Sequence, residues 1–159
     1  MLTIVGGNPH TMLEYDFQAS VGYWVYRTKQ ALERALGEEL APLGITTRQW
    51  QVLACLAAAG GKLSPSDLAE RMGLELPTLL GILDRMERDR WIVREACASD
   101  RRKKWVRAAR RAIAAWPRIV ACALEVRARA TRGMGATRLH ALRAALDAIQ
   151  RNLELPEQS

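Results

Sequence analysis

Beyond residue 15 the apolar positions of this chain fall into helical repeats, interrupted by glycine and proline and once by a basic stretch. Phe17, Val21, Trp24, Val25, Thr28, Leu32, Leu36 and Leu40 recur at steps of three and four, the spacing that lines one face of an α-helix. A long amphipathic helix is therefore predicted from Asp16, ended by Pro42-Leu43-Gly44. Thr46 and Gln49 have the spacing of a capping box, in which each side chain satisfies the other's orphan amide. They open a helix with Trp50, Leu53 and Leu56 that Gly60-Gly61 stops. Ser64 is a good N-cap, with Pro65 at the first helical position and Asp67 in the first turn, where the helix dipole favours a negative charge. Gly73 suits the left-handed residue that ends such a helix.

Helix restarts at Pro77, and Leu79, Leu83 and Met86 form its buried stripe with Ile82 beside it. Pro77, Thr78, Gly81, Asp84, Arg85 and Arg88 are left facing outward. Helix, tight turn with glycine, helix is the helix-turn-helix signature. Trp91-Ile92-Val93-Arg94 and Lys104-Trp105-Val106-Arg107 then read as short strands around a polar tip with Ser99, Asp100, Arg101, Arg102 and Lys103. Ile113, Trp116, Val120 and Leu124 mark a further helix that Pro117 should kink. Thr137 is expected to cap a last helix, in which Leu139, Leu142, Leu146, Ile149 and Leu153 form a coiled-coil-like seam that wants a partner.

The predicted fold is mainly α with a small β-hairpin wing. It comprises a flexible arm over 1–15, a winged helix-turn-helix over 45–108, and helical dimerisation regions over 16–44 and 109–155. With Phe17 and Val21 the C-terminal seam supplies the expected dimer contacts. The aromatic cluster Tyr15, Phe17, Tyr23, Trp24 and Tyr26 reads as a packing or dimer face, or as a ligand wall.

Composition agrees with a helical globule: 49% of residues are hydrophobic and 26% charged, which argues against a disordered chain. Charge adds more. The formal net charge is +7, and residues 84–132 alone hold fifteen Lys and Arg against six Asp and Glu. A basic surplus concentrated around the helix-turn-helix favours a polyanionic partner; the alternative is an arginine-rich solvated surface. Three scattered cysteines give neither a disulfide framework nor a zinc pattern. Neither a signal peptide nor a membrane-length apolar run is seen, so a cytoplasmic location is expected, without membrane association. Two isolated histidines and the absence of a phosphate loop, nucleophile elbow or paired carboxylates point away from an enzyme, and no metal or cofactor is expected.

Double-stranded DNA is the expected partner. A recognition helix offers its N-terminal half to base edges, and that half is sparse in hydrogen-bonding groups. Thr78 can bond a base or touch a thymine methyl, Gly81 offers nothing, and Arg85 and Arg88 suit phosphates. Ser66 at the head of the preceding helix is a further candidate. Shape readout should then carry much of the specificity, through a tip arginine placed in a narrow minor groove. Asp100 is close enough in sequence to aim Arg102, with Arg101 and Lys103 adding charge.

The order of these motifs, with Leu68-Ala69-Glu70-Arg71-Met72-Gly73, Pro77-Thr78-Leu79 and Leu83-Asp84-Arg85-Met86-Glu87, resembles the MarR family of winged helix-turn-helix regulators. Cys97-Ala98-Ser99-Asp100-Arg101-Arg102 and Leu40-Ala41-Pro42-Leu43 with Trp50 are most similar to its SlyA branch. The resemblance runs from Asp16 to Leu153. It implies a homodimeric regulator, commonly a repressor, on a pseudo-palindromic promoter site. Recognition helices would lie in successive major grooves, with Arg102 in the flanking minor groove and Asp100 as its orienting partner. Two departures stand out: Gly81 replaces the usual polar residue, and Arg107-Ala108-Ala109-Arg110-Arg111 replaces a Leu-Thr step into the next helix.

Family members often release DNA when a phenolic or aromatic carboxylate binds. By that likeness Trp24 and Trp50 could stack an aromatic ring and Arg27 pair with a carboxylate; packed tryptophans with a surface arginine are the other reading. Cys97 at the wing base offers a redox input, or is an inert thiol. A low-specificity architectural DNA binder, and a small-molecule-binding or oligomerising module that no longer reads DNA, are the remaining alternatives.

Overall fold

A computed structural model describes residues 15–96 and 104–154. Residues 1–14, 97–103 and 155–159 lie outside that description, and with them most of the expected arm and the expectations placed on Cys97, Asp100, Arg101, Arg102 and Lys103.

A turn of 3-10 helix, Phe17–Ala19, precedes helix α1, Val21–Leu40. Ser20 separates them: its backbone is extended and its hydroxyl accepts the Tyr23 amide at 3.1 Å. The helix thus starts later than its apolar period, because a side-chain cap ends one turn and opens the next. α1 leads through Ala41–Leu43 to Gly44, whose φ is +68°. Helix α2, Thr47–Ala58, opens with the predicted capping box. The Gln49 amide donates to Thr46 Oγ1 at 3.2 Å and the Thr46 amide to Gln49 Oε1 at 2.9 Å, which gives the buried glutamine its partner. Helix α3, Pro65–Met72, is capped by Ser64 and Asp67. Gly73, at φ +60°, turns the chain into helix α4, Leu76–Arg88.

Strands β1 (Lys62–Leu63), β2 (Ile92–Ala96) and β3 (Lys104–Ala108) form an antiparallel sheet in the order β1-β3-β2. β1 was not expected: two residues carry no alternation, and only the pairing of Lys62 with Arg107 and of Leu63 with Val106 defines them. Trp91, expected in the first strand, instead precedes it as a fully buried core side chain. Arg90, at φ +61°, makes the turn from helix to strand.

One core joins these elements. Leu40, Val52 and Leu56 meet Leu68, Leu79, Leu83 and Met86, and the cluster continues through Trp91, Ile92 and Val106 to Ile119. Helix α5, Arg110–Ala130, joins it through Ala112, Ile119 and Val126. The stripe the sequence marked is split: Trp116 packs against the core and Val120 is half-buried, whereas Ile113 and Leu124 are 64% and 54% exposed. α5 therefore carries two apolar faces. It also runs through Pro117 as one helix. Helix α6, Ala136–Glu154, has no buried residue. Thr137 lies within its first turn and does not cap it; the Leu139 amide bonds to the Gly135 carbonyl at 3.1 Å, so the start is set at Gly135.

Candidate nucleic-acid interface

Helix α4 is anchored by one face and bare on the other. Leu79, Ile82, Leu83 and Met86 are buried against α2 and α3, so Pro77, Thr78, Arg85 and Arg88 are exposed and Gly81 partly so. Ser66, in the first turn of α3, is exposed as well. A Cβ built on Gly81 would meet only the Arg85 guanidinium, at 3.9 Å. No packing demands glycine there, and its effect is to leave the outward face flat. Leu76 and Leu80 add exposed apolar surface to the same helix, in line with a face that has few base-reading groups.

The hairpin springs from the end of α4. Lys62, Lys104 and Arg107 are exposed on the sheet. The Lys62 ammonium sits 5.1 Å from the Trp105 ring centroid, and Arg107 pairs with Glu95 across the two strands at 3.4 Å. With Arg85, Arg88 and Arg90 they make a basic surface around α4.

Two arginines tie this surface together, and neither was singled out from the sequence. On β2, Arg94 Nη2 donates to Asp84 Oδ1 at 2.6 Å, its Nε lies 3.5 Å from Glu87 Oε2, and its backbone amide donates to Glu87 Oε1 at 3.3 Å. Asp84 is exposed as expected but engaged with the wing, not solvent alone. The available signal was an acidic pair three apart on a helix, followed by one arginine in the next strand. On α5, Arg111 Nη1 donates to the Asp89 carbonyl at 2.6 Å and the guanidinium stacks 4.1 Å from the Trp91 ring centroid. Ala109 provides no side-chain cap to α5, and its amide bonds instead to the Trp91 carbonyl at 3.0 Å. These contacts hold the start of α5 where the usual threonine is missing.

The three residues expected to bind a ligand are not brought to one cavity. Arg27 lines a cleft of about 680 Å³ with Thr28, Ala31, Leu32, Arg129 and Arg132, which neither tryptophan lines. Trp24 is half exposed, its indole N–H donating to the Gln18 carbonyl at 2.9 Å, whereas Trp50 packs against the core. A separate apolar cavity of about 190 Å³ is lined by Leu53, Leu56, Ala57, Ala108, Ala112 and Trp116, where α2, β3 and α5 converge. Cys55 and Cys122 are free thiols. Among the described residues no cluster of His, Cys, Asp or Glu could hold a metal ion, and no helix is long and apolar enough to cross a membrane.

The helix-turn-helix, the hairpin and the flanking long helices recur together in solved structures. AbsC from Streptomyces coelicolor, a MarR family transcriptional regulator, superposes with a TM-score of 0.77 at 23% identity, over 90% of this chain and 98% of that one. A cysteine-to-serine mutant of MarR from E. coli, in complex with operator DNA, gives 0.72 at 24% identity, over 81% and 92%. CouR from Rhodococcus jostii RHA1, bound to p-coumaroyl-CoA, gives 0.74 at 23%, over 83% and 92%. This is the MarR winged-helix fold. The MarR family model matches residues 43–103, from the end of the turn after α1 to the segment before β3. MarR-family proteins are DNA-binding transcription regulators and not enzymes.

Proposed function

We propose that this protein is a SlyA-like MarR regulator that binds a pseudo-palindromic promoter site as a homodimer. The observation that carries the proposal is α4: held by four buried apolar side chains, it presents Pro77, Thr78, Gly81, Arg85 and Arg88 outward beside a basic hairpin. In this reading residues 45–108 read DNA, with Ser66 and α4 against the major groove. Arg102, aimed by Asp100 and flanked by Arg101 and Lys103, enters the minor groove. Residues 16–44 and 109–155 dimerise. Support for that lies in the apolar groups left uncovered: Phe17 in the turn before α1 and Val21 at its start, Ile113 and Leu124 on α5, and the seam of α6.

A small aromatic carboxylate or phenol is the proposed effector. The apolar cavity between α2, β3 and α5 exceeds the roughly 150 Å³ that suffices for benzene in an engineered protein core. It adjoins the base of the wing, so filling it would bias the hairpin. The other candidate site is the separate helical cleft, where Arg27 supplies a cation for a carboxylate, with Trp24 and Trp50 as the proposed stacking groups.

Footprinting on the intergenic DNA flanking the gene, with and without salicylate-like compounds, tests this reading. The expected result is a symmetric footprint that fades with the aromatic acid, and an affinity that falls about a thousandfold between 50 and 200 mM salt. Arg102→Ala should abolish specific binding at moderate salt while leaving the dimer folded. Equal affinity for unrelated duplexes would instead indicate an architectural binder, and no salt-sensitive binding would remove DNA from the function.

A further inference from the structure

We infer that Arg94 is a positioning residue that sets the angle of the wing against the recognition helix, and that it acts on DNA recognition only through the wing tip. The inference rests on the DNA-binding role proposed above.

The hairpin is attached to the body of the protein over a short length. Trp91 and Ile92 are buried and belong to the core, but Val93, Glu95 and Ala96 are exposed. On the facing strand Val106 is fully buried, Trp105 half so, and Lys104 exposed. Arg94 pairs with Val106 in the sheet register, and Ala96 with Lys104. The Arg94–Val106 rung is thus the last one with a fully buried side chain. Beyond it the strands pair with each other and the Trp105 ring takes the Lys62 ammonium at 5.1 Å, a thin attachment for a two-stranded hairpin, which in isolation is marginal in water and free to twist.

Arg94 fastens that last rung to α4. Its side chain is 17% exposed, and it reaches Asp84 and Glu87, which lie three residues apart on one face of the helix. Three separate contacts result: Nη2 to Asp84, Nε alongside Glu87, and the backbone amide to the other Glu87 oxygen. A planar guanidinium held at two edges fixes direction as well as distance, which a single ammonium cannot do. The Nε hydrogen has no hydrogen-bond partner and its nearest acceptor is at 3.5 Å. The guanidinium is therefore aligned mainly by its short bond to Asp84, with Glu87 completing the clamp.

Two measurements test this. The first needs no DNA: with Cys55 and Cys122 replaced by serine, nitroxide labels on Cys97 and on a cysteine introduced by Arg88→Cys report the wing-to-helix distance by pulsed electron paramagnetic resonance. Arg94→Ala should broaden the distance distribution, and Arg94→Lys should restore part of its sharpness. An unchanged distribution would overturn the inference. The second is a double-mutant cycle on the mapped operator, at salt low enough for the Arg102→Ala protein still to bind. Arg94→Ala should weaken operator binding about tenfold, as directly coupled residues do, and should cost nothing more once Arg102 is alanine. A cost that persists in the Arg102→Ala background would overturn the inference, placing the effect in α4 or in folding. If Arg94→Ala does not fold, Asp84→Asn with Glu87→Gln removes the clamp more gently and must give the same two results. Absence of salt-sensitive duplex binding by the unaltered protein would count against the DNA-binding role alone, leaving the distance measurement to decide the clamp.

Discussion

Replacing Leu142 and Leu146 by alanine should convert the proposed dimer into a monomer at micromolar concentration while sparing the winged helix. The two leucines are 48% and 38% exposed, on a helix with no buried residue. Full burial of a leucine contributes about 2 kcal/mol, so covering the remaining exposed part of each is worth about 1 kcal/mol. In a two-fold symmetric dimer every substitution occurs twice. The pair therefore removes roughly 4 kcal/mol, which at 1.4 kcal/mol per decade raises the dimer dissociation constant about a thousandfold. Sedimentation velocity over a concentration series reads that shift directly. The core is separate, built from Leu40, Leu56, Leu83, Met86 and Trp91, so the far-ultraviolet circular dichroism should keep its helical form. A dissociation constant changed by less than about tenfold would refute the reasoning, because it would mean that the α6 seam stays uncovered in the assembled protein.

Other outcomes follow from single positions. Arg111→Ala loses the bond to the Asp89 carbonyl and the stack on Trp91; it should cost about 1–2 kcal/mol and lower Tm by about 4 °C, measured by thermal unfolding at fixed protein concentration. Gly81→Ala and Gly73→Ala should shift stability in opposite directions. Gly81 sits in α4 with free space at its Cβ position, so alanine should stabilise by about 0.5–1 kcal/mol, whereas Gly73 at φ +60° should lose about 1 kcal/mol, both read by urea unfolding.

The periodic part of the fold was legible because its signals are local. Thr46 with Gln49, Ser64 with Asp67, and Gly73 were readable as caps and a turn, since each involves residues within three or four positions. The stripe of α4 was equally plain. The two apolar faces of α5 were not: Ala112, Ile119 and Val126 face inward while Ile113 and Leu124 face out. Size does not separate the two faces, since each carries a large aliphatic residue, so apolar spacing alone could not say which one meets the core.

By itself the sequence determined the order of the long helices and the hairpin, the helix-turn-helix, and the concentration of positive charge around it, because caps, glycines and apolar spacing act over a few residues. Only the tertiary structure decided which surfaces remain uncovered and how the wing is fastened. Arg94 meets Asp84 across a turn made by Arg90, and Arg111 reaches Asp89 from the next helix. Those contacts depend on the path of the chain through space, and no local pattern encodes it.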